Sequence, residues 1–125
     1  AGWCDEDDTL ATIGQIYRDR GYICDTHTAV GVKVWQDYIR QTGDNRPAII
    51  AATASPFKFP ASVLTALGQT VPGDAFAQLA ALSRLWGQPV PESLGALKGA
   101  PERFTRTVAP MAMPDAVVAW LEGTR

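Results

Sequence analysis

The sequence predicts an α/β fold, helix-rich, with one clear buried parallel strand at about residues 48–53. Three observations predict it. Ala48-Ile49-Ile50-Ala51-Ala52-Thr53 is apolar at consecutive positions and does not alternate, the pattern of a strand covered on both faces of a parallel sheet. Around it, four or five segments carry apolar residues at helical spacing between capping and stopping residues. The chain has 125 residues, 46% of them hydrophobic and 19% charged, the length and composition of one globular domain.

The first helix is predicted over about Asp8 to Arg20, with Asp8 or Thr9 as cap and Leu10, Ile13, Ile16 and Tyr17 on one face. Gly21 suits its C-terminal stop. Tyr22-Ile23-Cys24 is apolar but too short to define a strand. Each of Asp25, Thr26, His27 and Thr28 is placed to cap the next helix. That helix carries Gly31, Val34, Trp35 and Tyr38 on one stripe and ends near Thr42-Gly43. The predicted strand follows, then a loop from Ala54 to Phe59. Pro60 opens a helix that buries Val63, Leu64 and Leu67 and stops at Gly68. A helix from about Asp74 to Trp86 aligns Ala75, Leu79, Leu82 and Trp86. Prolines then punctuate the tail, where Val117, Trp120 and Leu121 mark a last short helix. Phe104 to Val108 is the one further strand candidate, and Arg106 assigns it to an edge. Trp35, Trp86 and Trp120 all read as core. Since one strand cannot make a sheet, the chain is predicted to be a piece of a larger α/β domain.

Eleven Lys+Arg against thirteen Asp+Glu leave no basic surplus for nucleic acid. No apolar run approaches the roughly 20 residues that span a bilayer, and the opening residues lack a signal-peptide layout. A cytoplasmic location is expected, with Cys4 and Cys24 as reduced thiols. One histidine and two unclustered cysteines do not make a zinc site, and no metal is expected. The acidic cluster Asp5-Glu6-Asp7-Asp8 reads as a solvated helix start.

In open α/β sheets ligands bind beyond the carboxyl ends of the strands. That places Thr53 and the loop with Ala54, Ser55 and Lys58 at a candidate site, with the turn at His27 and Thr28 as a neighbouring wall. Each residue also has a plainer reading. His27 is a cap or hydrogen-bonding residue, Thr53 a turn former, and Lys58 a surface lysine lying along apolar neighbours.

Two ordered segments carry a resemblance. Gly21-Tyr22-Ile23-Cys24-Asp25-Thr26-His27-Thr28-Ala29-Val30-Gly31 resembles the D-P-H-T-A-V-G segment of threonine synthase. Ala52-Thr53-Ala54-Ser55-Pro56-Phe57-Lys58-Phe59 resembles that family's T-A-x-P-x-K-F segment. The pattern Tyr17 to Tyr22 is similar to the same family, and the likeness spans about residues 1–68. The resemblance implies the C-terminal part of a pyridoxal-phosphate enzyme of fold type II, which converts O-phospho-L-homoserine and water into L-threonine and phosphate. It assigns Thr53 to the cofactor's pyridine nitrogen, where a hydroxyl, unlike a carboxylate, does not enforce ring protonation. His27, Thr28, Ala54 and Lys58 become possible site walls.

Three departures qualify that implication. Thr26 replaces the usual proline, and Ser55 stands where many relatives have histidine. The Schiff-base lysine belongs to the family's N-terminal portion, and Lys33, Lys58 and Lys98 do not sit in its context. No catalytic residue is therefore assigned. The expectation is a single C-terminal fragment over 1–125, motif-bearing over 1–68 and helical and proline-rich over 69–125. Such a fragment is expected to be inactive alone and to self-associate through an exposed apolar face. The competing readings are a stand-alone binding or signalling module of receiver type and a non-catalytic truncated paralogue. A receiver needs an aspartate at a strand end, where this chain has Thr53.

Overall fold

A computed structural model of the chain describes residues 1–103 and 105–123. Its elements are α1 (Glu6–Arg20), α2 (Thr26–Thr42), a 3₁₀ turn at Pro56–Lys58, α3 (Pro60–Ala66), α4 (Ala75–Trp86), the single turn α5 (Glu92–Gly95), a second 3₁₀ turn at Pro110–Ala112, and α6 (Met113–Leu121). Among the described residues there is no strand, so the α/β class and the buried strand at 48–53 are overturned. Residues 48–53 have no regular secondary structure, and Ile49 is 100% exposed. The physical reason is the absence of neighbours. A run of apolar residues becomes a sheet strand only where other strands flank it, and no described segment does so. The second strand candidate fails likewise: Thr105 to Val108 are irregular, and Phe104 lies outside the described residues.

Local chemistry accounts for the helix boundaries. α1 starts earlier than predicted because Asp5, not Asp8 or Thr9, is its cap; the Asp5 carboxylate accepts the Asp8 amide at 2.8 Å. Glu6, Asp7 and Asp8 fill the first turn and Arg18 and Arg20 the last, matching the macrodipole at both ends. Gly21 ends the helix at φ 65°, and its N–H donates to the Tyr17 carbonyl at 2.8 Å, a backbone conformation that costs glycine little. α4 begins behind Asp74, whose carboxylate accepts the Ala77 amide at 2.7 Å.

The core lies where α1 packs against α2 and α3, and α3 packs against α4. Ile13, Ile23, Cys24, Ala29, Phe57, Val63, Leu64, Leu79 and Leu82 are buried there, with Trp86 partly buried against them. Burial, with the Asp25 carboxylate beside it, pushes the Cys24 thiol up to about 11, so little reactive thiolate forms near neutral pH. Lys33 ties α2 to α1 through Asp8 at 3.0 Å and also pairs with Asp37 at 2.8 Å.

α1 crosses α3 closely at Gly14. A Cβ built there would lie 2.8 Å from the Ala66 carbonyl oxygen, a backbone atom that cannot swing aside. Gly14→Ala is therefore predicted to force the two helices apart and cost about 1–3 kcal/mol, read as a lower urea midpoint. An unchanged midpoint would refute the close crossing.

The tail departs from its predicted burial. α6 forms where expected, but Trp120 is 63% exposed and Val117 and Leu121 are exposed too. Trp120 is not core. The helix packs on the neighbouring 3₁₀ turn, and its apolar residues face water. No described helix is long and apolar enough to cross a membrane.

Candidate functional site

The site is built on the start of α2. Asp25 is 1% exposed and caps the helix. Its Oδ1 accepts the His27 amide at 2.9 Å and the Thr28 amide at 3.2 Å, and its Oδ2 accepts the Thr28 hydroxyl. Burial pushes this carboxyl up, but the Thr28 hydroxyl and the Thr28 and His27 amides outweigh it and hold the group below its usual range. Thr28 is thus buried, with its hydroxyl committed to Asp25.

The same cap fixes His27. The side chain is 61% exposed, and Nδ1 lies 3.5 Å from Asp25 Oδ1 and 3.4 Å from the Thr26 hydroxyl. The imidazole meets Phe59 at 5.4 Å between ring centroids, tilted by 38°. On the same phenyl ring, Lys58 Nζ lies 5.5 Å from the centroid, within reach of a cation–π contact.

Phe59 sits where it does because the turn before it is anchored. Ser55 caps Pro56–Lys58 by accepting the Phe57 amide at 3.3 Å, and Pro56 suits the first position of that turn. Phe57 is buried and packs on Trp86 at 5.6 Å. Consecutive side chains therefore point opposite ways: Phe57 into the core, Lys58 to solvent, and Phe59 toward His27.

Between these groups lies an open recess of about 340 Å³, whose wall includes Cys4, Thr26, His27, Val30, Phe59 and Ser62. The Cys4 thiol sits 3.4 Å from the Thr9 hydroxyl. That hydroxyl donates to the Asp5 carbonyl at 2.7 Å, so the thiol is the donor in the pair.

The structure thus joins His27 to the loop that carries Lys58. Thr53 stands apart: it is exposed, does not line the recess, and makes no hydrogen bond among the described residues. Ala54 is half-buried beside it. Phe59 and Asp25 were not singled out as site residues from sequence, although they join and organise the site. An aspartate two residues ahead of a histidine at a helix start is the signal for Asp25; nothing local marks Phe59.

The cofactor that the resemblance implies can be tested against these residues. Lys33 is clamped by Asp37 and Asp8, which hold its ammonium above the ordinary lysine value. Lys58 and Lys98 are exposed. No described lysine occupies the desolvated pocket that would make its amine a nucleophile. The positive-φ glycines Gly21, Gly43 and Gly87 terminate helices, and the described positive-φ glycines stand singly along the chain and not as a glycine-rich loop. The described residues offer a wall and no anchor, and the chain does not fit pyridoxal phosphate by itself. No three described His, Cys, Asp or Glu side chains form a group able to hold a metal ion.

Fold and recess together define a helical chain, without strands among the described residues, that carries an open recess between the start of α2 and Phe59. The chain belongs to the threonine synthase C-terminal family, whose model matches residues 28–118. That match runs past Gly68, beyond which the residues alone show only helix order. The chain is similar to threonine synthase-like 1 of Mus musculus, 43% identical over 68 residues, or 54% of this chain and 9% of that protein. It is 42% identical over 67 residues to the Homo sapiens protein of the same name, again 9% of its length. Threonine synthase of Pseudomonas aeruginosa is 37% identical over 58 residues, 46% of this chain and 12% of that enzyme. The chain thus spans about a tenth of the length of the curated relatives it matches.

Proposed function

We propose that this chain is the C-terminal portion of a threonine synthase, a pyridoxal-phosphate lyase that converts O-phospho-L-homoserine and water into L-threonine and phosphate. The isolated chain is then inactive, and the parent enzyme works in the cytoplasm. The family match over residues 28–118 carries this reading. The His27–Phe59 contact, which brings the two family-like segments together, supports it. In the parent, Thr53 offers an unengaged hydroxyl to the cofactor ring nitrogen, while His27, Ala54 and Lys58 wall the site. Thr28 acts from behind by holding Asp25. The cofactor supplies the electron sink for the carbon–oxygen chemistry. This chain's part is to present a hydroxyl, shape one wall and exclude water from it.

A graft tests the proposal. The matching segment of the Pseudomonas aeruginosa threonine synthase is replaced by residues 28–118 of this chain, and phosphate release from O-phosphohomoserine is followed. A folded, cofactor-loaded chimera should release phosphate, and Thr53→Val should shift its cofactor absorbance and slow it. A folded, loaded chimera that releases none overturns the reading. The isolated chain, treated with pyridoxal phosphate and borohydride, should show no stoichiometric labelling of Lys33, Lys58 or Lys98.

A further inference from the structure

We infer that Asp25 and His27 form a fixed carboxylate–imidazole pair, in which the ring proton sits on Nδ1 and Nε2 is left as a proton acceptor on the recess wall. A neutral histidine carries one ring hydrogen, and the partner of one nitrogen decides the state of the other. Here the partners lie at Nδ1: Asp25 Oδ1 at 3.5 Å and the Thr26 hydroxyl at 3.4 Å. Nε2 makes no hydrogen bond among the described residues.

The Thr26 contact alone leaves the tautomer open, because a hydroxyl donates to a bare nitrogen or accepts from an N–H. The carboxylate decides. Asp25 is 1% exposed, and the His27 and Thr28 amides and the Thr28 hydroxyl hold it in its charged form. A negative charge 3.5 Å from Nδ1 repels a lone pair there and attracts an N–H. No other described carboxylate competes for the ring. Asp5 and Glu6 also line the recess, but neither comes within ion-pair distance of His27, and Asp5 is committed to the Asp8 amide. Lys58, the cation on the same phenyl ring, offers no acceptor for an Nε2–H. The neutral imidazole therefore takes a hydrogen bond from a hydroxyl, a water or an ammonium group and gives none to a phosphate or carboxylate. Asp25 is a positioning residue as well as a helix cap. The tautomer is a property of this chain alone, whereas its use in a reaction rests on the proposed function.

His27 is the one histidine of the chain, so a long-range nitrogen–proton correlation spectrum of the isotope-labelled chain, purified without a polyhistidine tag, contains a single ring. At about pH 8.5, where an ordinary imidazole is neutral, Nδ1 should resonate in the protonated range and Nε2 in the bare-nitrogen range. Thr26→Val should leave that pattern unchanged. Asp25→Asn, which keeps an oxygen but not its charge, should shift the population toward the Nε2–H form that free histidine prefers. A wild-type ring with its proton on Nε2 overturns the inference, whether or not the chimera releases phosphate. So does a tautomer that Thr26→Val reverses, or one that a folded Asp25→Asn leaves unchanged.

Discussion

Replacing Phe57 by alanine is expected to cost about 3–5 kcal/mol, the range for emptying a buried aromatic site. Phe57 is 3% exposed and packs on Trp86, and with the buried Pro56 it sets the 3₁₀ turn against the core. Its neighbours differ sharply: Lys58 is exposed, and Phe59 lies on the recess. Lys58→Ala should therefore change stability little, since isolated surface substitutions stay within about 0.5 kcal/mol. The two variants separate packing from site chemistry within one family-like segment. Phe57→Ala should lower the urea midpoint and red-shift the Trp86 emission. It should also release the His27–Phe59 contact, visible as a change in the His27 ring resonances, because Phe59 is aimed by the turn that Phe57 anchors. A loss below about 1 kcal/mol, outside the range for a buried aromatic, would show that the turn is held by something else.

What the residues disclosed in advance was local. Two helix stops were legible because a stop acts within one turn: Gly21 and Gly43 end α1 and α2 at positive φ, and α4, Ala75–Trp86, lies within a residue of its expected bounds. The cap of α2 stayed open among Asp25, Thr26, His27 and Thr28, since any of them can accept an amide. Only the extended backbone of Asp25, φ −77° and ψ 167°, decides among them. Residues 48–53 and Trp120 were misread for a shared reason. An apolar pattern states that a face needs cover and not that the chain supplies it. The strand pattern describes an environment of flanking strands that none of the described residues provide, and Val117, Trp120 and Leu121 of α6 stay exposed. The recess lay between these cases. Both family-like segments were visible, but their meeting through His27 and Phe59 links residues 32 positions apart, which no local pattern carries.

The second large effect is expected at Asp25. Asp25→Ala removes a helix cap, about 0.5–2 kcal/mol. It also leaves the buried Thr28 hydroxyl and the first amides of α2 without their acceptor, about 1–3 kcal/mol. A total loss of about 1.5–5 kcal/mol follows, with fraying of the first turn of α2 and loss of order at His27. The carboxyl is held below its usual value in the folded chain, so its contribution is present above the unfolded value, roughly pH 4. It is lost as pH falls through the lowered folded value. Asp25→Asn keeps a capping oxygen but cannot ionise. Its stability should fall between the wild type and Asp25→Ala at neutral pH, and the gap to wild type should narrow below roughly pH 4. Urea unfolding of the three chains at neutral and acid pH checks both points. A constant gap across that range would mean that burial cancels the three donors, and a gap that widens toward acid would mean that burial outweighs them.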